Sequence, residues 1–395
     1  MGVTFPKGFK AAGVACGIKK NGGKDLAVVC SDVTATAAAV FTTNIVKGHS
    51  LQLSMEHIKN ATARAIVINS GNANACVGEI GFQSARTITG SVSTLIGCTP
   101  EEVLINSTGV IGVPLKTDLI LQGVKTAFEK LSYSGGPEAA EAIMTTDTFP
   151  KQETVEFELD GCRARIGGMA KGSGMIHPNM ATMIGVITTD INISKPLLHK
   201  ALKQVIKSTF NRTSVDGDTS VCDMVAMLAN GMAGNRKIEE ENEDFEKFVM
   251  HLNSVCTNLA RLIAKDGEGA TKLIEIKVNG APSEEDAYKI VSAVAKSPLV
   301  KTAIFGEDAN WGRIITAAGC SGAVFNPEKV DIYIGDLIVC NKGTAVNFDE
   351  DKAKNILSSK EVCITIDLNQ GNCSDRMWTC DFSYDYVKIN GSYRS

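Results

Sequence analysis

The sequence predicts an α/β (α+β) protein in which mixed sheets pack beneath helices. Apolar runs of strand length alternate, along all 395 residues, with segments whose apolar residues recur at helical spacing. One pair of runs is joined by an Asp-Gly turn, which is typical of antiparallel neighbours and so indicates mixed rather than purely parallel sheets. The chain is too long for one ordinary core, and we therefore expect two or three structural units.

The composition limits the class of protein. Apolar residues make up 44% of the chain and charged residues 21%, which is typical of a globular protein. No apolar run reaches the roughly 18 residues of a membrane span, and the first ten residues lack the features of a signal or transit peptide. The net charge of −4 provides no basic face for nucleic acid. We therefore expect a cytoplasmic protein with neither nucleic-acid nor membrane partners.

The twelve cysteines and five histidines show no metal-binding pattern. There is no C-x-x-C pair and no H-E-x-x-H motif, and the closest cysteines are Cys373 and Cys380. We interpret all twelve cysteines as reduced, mostly buried, small apolar residues. The sequence therefore predicts no metal site.

In the first third of the chain, strands are predicted at residues 25–31 and 64–69. The second strand leads into residues 70–75, small polar residues that either expose backbone amides to a ligand or simply connect two elements. Residues 80–96 predict a helix with a one-sided apolar stripe. The stripe consists of Ile80, Ala85, Ile88, Val92 and Leu95.

A short predicted strand at residues 103–105 runs into Asn106-Ser-Thr-Gly109. A strand that ends in Thr-Gly places a hydroxyl beside an amide hydrogen, and such a pair can build an oxyanion hole. The same dipeptide is common in turns, so the residues alone leave the role of Thr108 and Gly109 open.

The clearest local structure is a predicted β-hairpin at residues 154–166. Apolar and charged residues alternate on both sides of Asp160-Gly161, with acidic residues on the first strand and basic residues on the second. Helices are predicted before it, at residues 116–131 and ending near Met144. The hairpin delivers the chain to Lys171.

A predicted loop at residues 171–178 leads into a predicted buried strand that ends at Thr189. The loop contains two glycines and a His-Pro pair, whereas the strand is apolar and β-branched. Thr182 lies at the junction, where it is either an ordinary strand residue or a nucleophile. As a nucleophile, its hydroxyl would attack the carbonyl of Ala181, and water would then cut the chain. The new α-amine, with a pKa of about 7.7–8.0, would serve as general base.

The second half of the chain continues the alternation of helices and strands. A helix is predicted after Ser194, an amphipathic helix at residues 239–265 and a strand at residues 271–278. Residues 216–220 lack the remaining spacing of a calcium loop and predict a turn. Glu268, between two glycines, is either a solvated loop acid or a site residue.

The stretch from Lys171 to Met183 resembles the self-cleavage and nucleophile motif of the ornithine acetyltransferase (glutamate N-acetyltransferase) family of arginine biosynthesis. Further stretches resemble the same family from end to end. They are Ile68–Cys76, Ser107–Gly112, Met144–Thr148, Asp216–Ser220, Asp266–Thr271, Gly306–Arg313 and Tyr386–Tyr393.

The resemblance implies a layered αββα-like core, shared with other self-processing nucleophile enzymes, and a smaller C-terminal α/β region from about residue 280. It also implies self-cleavage between Ala181 and Thr182 into an alpha chain, 1–181, and a beta chain, 182–395. The two chains are expected to stay associated as a heterotetramer of two alpha and two beta chains.

The implied reaction is ping-pong transfer of an acetyl group from N2-acetyl-L-ornithine to L-glutamate through an acetyl ester on Thr182. By the same resemblance, Thr108 and Gly109 form the oxyanion hole and no cofactor is needed. The implied substrate-binding residues are Thr148, Lys171, Thr182, Glu268, Asn390 and Ser392. Among these, the choice of Thr148 over Thr145 or Thr146 stays open, as does acetyl-CoA as a second donor.

Two alternatives from other functional classes stay open. One is an amidohydrolase or aminopeptidase of the same self-processing type, in which water replaces glutamate as acceptor. The other is an uncut, non-catalytic binding protein, which would run as a single band on a denaturing gel.

Overall fold

A computed structural model describes residues 1–177 and 183–392. Within them, the chain forms two compact units. The first consists of the described residues up to Asn211 together with Asp218–Leu259, and the second consists of Arg212–Gly217 and the described residues from Ala260 onward. Both units combine a sheet with helices, and the predicted α/β (α+β) class is confirmed.

Strands and helices alternate through the first unit, and the last residues of its final helix, 260–265, belong to the second unit. In chain order the elements are β1 (Phe9–Val14), β2 (Leu26–Phe41), α1 (His49–His57), β3 (Thr62–Asn72), α2 (Glu79–Ile96), β4 (Val103–Val110), α3 (Thr117–Glu129), α4 (Gly136–Ala142), β5 (Lys151–Leu159), β6 (Cys162–Lys171), β7 (Ile184–Thr189), α5 (Lys195–Ser208), β8 (Met224–Ala229) and α6 (Glu243–Lys265).

The sheet of the first unit folds over on itself at the long strand β2. Its order is β4-β3-β2-β8-β7-β6-β5, with β1 paired to β2. The first half of β2 pairs with β1 and β3, and the second half pairs with β8, after a register shift between Cys30 and Ala35. One buried apolar cluster combines side chains from both halves, including Ile68, Leu104, Met169 and Val186. The two halves therefore pack face to face around this cluster.

Helices cover the outer faces of both halves. On one side, Ile88 of α2 and Val124 of α3 share a buried cluster with Val67 of β3. On the other side, side chains of α6 lie so close to β6 that a Cβ atom on Gly168 would be 2.9 Å from Leu259. The result is the predicted αββα layering.

The predicted β-hairpin is confirmed, with longer strands than the sequence indicated. Asp160 and Gly161 form its turn with φ of +50° and +68°, a left-handed geometry that glycine adopts without strain. Charged partners face each other across it, since Arg165 Nε lies 2.7 Å from Glu156 Oε2. Pairing with β7 extends β6 to Lys171, which is therefore a strand residue and not part of the following loop.

Two expectations about burial were wrong. In α2, Ile80 and Leu95 are 50% and 45% exposed, whereas Ser84 and Ser93 are buried. Small hydroxyl residues can be buried there because they find nearby partners, as Ser93 does by donating to the Gly90 carbonyl. Only five of the twelve cysteines, all of which are free thiols, are buried. They are Cys30, Cys222, Cys256, Cys340 and Cys380.

The second unit is built on a six-stranded sheet with the order β12-β11-β10-β13-β9-β14. Its elements are β9 (Leu273–Ala281), α7 (Glu284–Lys296), α8 (Pro298–Phe305), α9 (Trp311–Gly319), β10 (Asp331–Ile334), β11 (Leu337–Asn341), β12 (Thr344–Ala345), α10 (Glu350–Leu357), β13 (Glu361–Asp367), β14 (Cys373–Cys380) and α11 (Tyr384–Ser392). Helices α7 to α10 pack on this sheet around one apolar cluster. None of the helices described in either unit is long and apolar enough to cross a membrane.

Candidate active site

The Thr-Gly pair lies near the end of β4, where the strand pairs with β3. Thr108 is buried, and Gly109 faces Gly71 across the ladder with a φ of +130°. A Cβ atom at Gly109 would lie 2.4 Å from the carbonyl carbon of Gly71, so no side chain fits. The pair is therefore held in one backbone geometry by close strand pairing.

Hydrogen bonds between buried polar groups hold Asn106 and Ser107, the two residues of β4 that precede Thr108. The Ser107 hydroxyl donates to Asn69 Oδ1 at 2.6 Å and lies 2.8 Å from the Ser50 hydroxyl. Next to it, the Asn106 amide donates to the carbonyl of Cys222 at 2.9 Å. These hydrogen bonds restrain the strand, because a shift would leave the buried polar groups that form them unpaired.

The start of β7 is held by the residue that follows Cys222. Met183 donates its backbone N–H to Asp223 Oδ1 at 3.0 Å, and its carbonyl accepts the N–H of Met224 at 3.2 Å. Two adjacent residues, Cys222 and Asp223, thus connect the Thr108 segment with the beginning of β7. Ala181 and Thr182, which the sequence analysis singled out, lie outside the described residues.

Asp223 forms no ion pair with the cationic side chains in the described parts of the chain, although the charge of Lys171 acts on it through space. It is fully buried, and burial raises its pKa well above the ordinary value, although Thr42 and the Met183 amide partly counteract this shift. Its Oδ2 atom has no hydrogen-bond partner among residues 1–177 and 183–392. Asp223 is therefore protonated at a pH where ordinary aspartates are charged.

A second buried cluster surrounds Lys171 at the end of β6. Lys171 Nζ donates to the Thr145 hydroxyl at 2.8 Å and lies 3.9 Å from Asp147 Oδ2. Asp147 Oδ1 accepts from Lys151 Nζ at 2.6 Å and from the N–H of Gly172 at 2.7 Å. Lys171 pairs across the sheet with Ile184, so this cluster lies one strand away from the start of β7.

Two lysines reverse the effect of burial on Asp147. Burial by itself would raise the pKa of this carboxyl, but Lys171 and Lys151 hold it below its usual range. Burial lowers the pKa of Lys171, and Asp147 offsets part of that shift. Asp147 is therefore an anion with two cationic neighbours.

The remaining predicted site residues are distributed between the two units. Thr148 is exposed in the first unit, where it is Thr145 whose hydroxyl contacts Lys171. In the second unit, Glu268 is buried and its Oε2 accepts from the Asn390 amide at 2.8 Å. Ser392 is the exposed last residue of α11.

The sequence analysis missed Asp147, Lys151 and Asp223. Asp147 lies inside the Met144–Thr148 stretch, four residues before Lys151, and this i,i+4 spacing of opposite charges was the available signal. Asp223 had no such signal beyond its position after residues 216–220. Within the described parts of the chain, no group of three or more His, Cys, Asp or Glu side chains is arranged to hold a metal ion.

Comparison with known proteins gives a consistent result. A family model described as the ArgJ family matches residues 10–395. The arginine biosynthesis bifunctional protein ArgJ of Caldanaerobacter subterraneus subsp. tengcongensis is 51% identical over 397 residues, which cover 100% of this chain and 98% of the relative. The protein of the same name from Symbiobacterium thermophilum is 50% identical over 396 residues, again covering 100% and 98%.

Among solved structures, arginine biosynthesis bifunctional protein argJ from Bacillus halodurans is 44% identical to this chain. The match covers 52% of this chain and 97% of that one, with a TM-score of 0.51. Together with the end-to-end agreement of the sequences, these findings lead to one conclusion. The chain belongs to the ArgJ family.

Proposed function

We propose that this protein, an acyltransferase of arginine biosynthesis, transfers the acetyl group of N2-acetyl-L-ornithine to L-glutamate through an acetyl ester on Thr182. One observation carries the residue assignment. Adjacent residues Cys222 and Asp223 bind Asn106, two residues before Thr108, and Met183, one residue after Thr182. The segments that contain Asn106 and Met183 are thus held by the same two residues, which supports assigning their neighbours in the sequence, Thr108 and Thr182, to one site.

In this mechanism the chain first cuts itself between Ala181 and Thr182, giving chains 1–181 and 182–395. The α-amine of Thr182 then accepts the proton of its own hydroxyl as that oxygen attacks the acetyl carbonyl. The Thr108 hydroxyl and the Gly109 N–H donate to the oxyanion. The close pairing of Gly109 with Gly71 supports this role, because donors that are already fixed need no reorganisation during the reaction.

The same pocket is proposed to hold donor and acceptor in turn. Both carry an α-carboxylate, for which Lys171 is the proposed partner, and Thr148 and Ser392 are proposed as further substrate-binding residues. Glu268 binds the side-chain ammonium of ornithine. Its hydrogen bond from Asn390 supports this assignment, because that bond orients the carboxylate.

Ornithine leaves as the ester forms, and the amine of glutamate then attacks the ester and regenerates the Thr182 hydroxyl. The relatives are named bifunctional, which supports acetyl-CoA as a second acetyl donor. We further propose a heterotetramer of two alpha and two beta chains, with a smaller C-terminal region from about residue 280. It works in the cytoplasm, where its amino-acid substrates are made, and without a cofactor.

Intact-mass analysis tests the nucleophile. Natively purified protein should consist of pieces 1–181 and 182–395, and incubation with N2-acetyl-L-ornithine alone should add one acetyl group to the second piece. Thr182→Ala should stay uncut and inactive, whereas Thr182→Ser keeps a hydroxyl and should still be processed. Full-length mass for the natively purified protein would contradict the proposal.

Steady-state kinetics separate the transferase from the hydrolase. A ping-pong transferase gives parallel double-reciprocal plots at several fixed glutamate concentrations, and it exchanges labelled ornithine into acetylornithine without glutamate. Acetate release without an acceptor should be slow. If acetate appeared as fast without glutamate as acetylglutamate does with it, the enzyme would be a hydrolase.

A further inference from the structure

Two buried lysines lie beside one buried carboxylate at the end of β6. The side chains of Lys151 and Asp147 are 0% exposed, and that of Lys171 is 2% exposed. Two ammonium groups and one carboxylate give these three side chains a net charge of +1. A buried charge without a counterion is costly, so this surplus favours the binding of an anion.

The two lysines share Asp147 unequally. Lys151 Nζ donates directly to Oδ1 at 2.6 Å, and it also lies 5.1 Å from the centre of the Phe149 ring. Lys171 Nζ, in contrast, is 3.9 Å from Oδ2, beyond the length of a hydrogen bond. Its hydrogen bond goes to a neutral hydroxyl, that of Thr145. Lys151 thus holds a direct hydrogen bond to Asp147, whereas Lys171 has only the longer ion pair with it.

Asp147 also fixes the place from which Lys171 acts. Its Oδ2 accepts the N–H of Thr145 at 3.0 Å, and its Oδ1 accepts the N–H of Gly172 at 2.7 Å. The first bond holds the residue that contacts the Lys171 ammonium, and the second holds the backbone next to Lys171. The Asp147 carboxylate therefore positions both the hydroxyl residue at the ammonium end of Lys171 and the backbone at its other end.

We infer that Lys151, by taking the direct hydrogen bond to Asp147, keeps Lys171 out of that bond and so leaves its ammonium group available to the α-carboxylate of either substrate. The inference rests on the proposed function, in which Lys171 is the carboxylate partner. Asp147 and Lys151 act through Lys171 and are positioning residues. Without Lys151, Lys171 Nζ would move from its present 3.9 Å into hydrogen-bond contact with Asp147. Its positive charge would then be paired inside the protein and not with the substrate.

The titration of Lys171 supports the same arrangement and gives it a pH signature. Burial lowers the pKa of Lys171, Asp147 raises it, Lys151 lowers it again, and Asp223 and Cys222 have smaller raising effects. Lys171 has to be protonated to bind a carboxylate, so the KM of both substrates should rise as the pH increases through this lowered pKa. Removing Lys151 raises the pKa and should displace the rise in KM to higher pH.

The first experiment measures KM and kcat of Lys151→Met with N2-acetyl-L-ornithine and with L-glutamate. KM should increase roughly ten- to a hundredfold for both, the effect of one charged hydrogen bond, while kcat stays within about threefold. Lys151→Arg keeps the charge and should stay near wild type. Lys200→Met, which removes an exposed lysine 2.5 Å from Glu241, is the control and should change neither constant.

The double variant Asp147→Asn/Lys151→Met distinguishes two roles of Lys151. In one role Lys151 pairs with the charge of Asp147, and in the other it is only structural. The double variant restores the net charge of +1 that the cluster loses in Lys151→Met. The KM of the double variant should therefore be at least about fivefold lower than that of Lys151→Met. A purely structural role predicts a double variant at least as impaired as Lys151→Met. Unchanged KM in folded Lys151→Met, or no recovery in the double variant, would overturn the inference. If Lys151→Met does not fold, a folded double variant with KM more than about tenfold above wild type overturns it.

The wild-type enzyme separates this inference from the proposed function. If wild type transfers no acetyl group from N2-acetyl-L-ornithine to L-glutamate, the proposed function fails. If wild type does transfer it and Lys151→Met has wild-type KM values, only the inference fails.

Discussion

Asp147 and Asp223 are buried aspartates that bind the two ends of the segment between β6 and β7, and their pKa values are shifted in opposite directions. Asp147 accepts the N–H of Gly172, where the segment leaves β6, and Asp223 accepts the N–H of Met183, where the chain enters β7. Two lysines hold the pKa of Asp147 below its usual range, whereas burial raises the pKa of Asp223 well above it.

The difference shows that burial does not by itself decide the charge of a carboxyl group. Both side chains lose their hydration, and the number of cations in contact decides whether the proton stays. Asp147 therefore stays charged next to its two lysines, whereas Asp223 keeps its proton at a pH where ordinary aspartates lose theirs.

The largest effect should come from neutralising the charged end. Asp147→Asn leaves two buried ammonium groups without an anion, and we expect the free energy of unfolding to fall by about 3–5 kcal/mol in urea titrations. Asp32→Asn is the control, because Asp32 pairs with Lys10 at 3.1 Å on the surface and should cost less than about 1 kcal/mol. Equal losses in both variants would mean that Asp147 carries no charge.

The next largest effect should come from the proposed oxyanion hole, whose segment is hydrogen-bonded to Cys222, the residue before Asp223. Thr108→Val removes one oxyanion donor and should lower kcat by roughly 10²–10³ without a comparable loss of stability. Thr188→Val is the matched control, since it removes a buried strand hydroxyl, which donates to the carbonyl of Val3, away from the proposed chemistry. A fall of less than about threefold in folded Thr108→Val would move the oxyanion hole elsewhere.

The pH dependence of stability should have opposite signs at the two ends. The stabilisation from Asp147 is present above its unfolded pKa of about 3.9 and is lost as the pH falls through its lowered folded pKa. The stabilisation from protonated Asp223 is present below about pH 3.9 and is lost as the pH rises through its raised folded pKa.

Urea unfolding over a pH series measures these slopes. The cost of Asp147→Asn should shrink below about pH 4, and the cost of Asp223→Asn should shrink above about pH 4, each by at most about 1.4 kcal/mol per pH unit. Slopes of the same sign for the two variants would remove the contrast between the two aspartates.

The smallest loss of stability should come from Asp223→Asn at neutral pH. No charge is removed from the folded state, and the asparagine oxygen still accepts the Met183 N–H, so stability should fall by no more than about 1 kcal/mol and the chain should still be processed. Asp223→Leu removes the acceptor and should cost more, which makes it the comparison. A large loss in Asp223→Asn would show that Asp223 works as an anion.

Much of the fold could be predicted because its signals are local. The alternation on both sides of Asp160-Gly161 specifies a hairpin, and the helical spacing of Leu198, Ala201 and Leu202 specifies the buried face of α5. The predicted buried face of α2 was wrong at Ile80 and Leu95, which are exposed. The position of a helix on a sheet, and not apolarity alone, determines which of its residues are covered.

The sequence by itself determined the alternation of strands and helices, the hairpin that leads to Lys171 and the motifs that resemble the family. The tertiary structure alone decided the charges around the site. Asp147 meets Lys171 from the loop that precedes β5, and Asp223 meets Met183 forty positions away along the chain. The pKa of a buried group depends on such distant neighbours, which neither spacing nor periodicity encodes, and for this reason one aspartate is charged and the other is neutral.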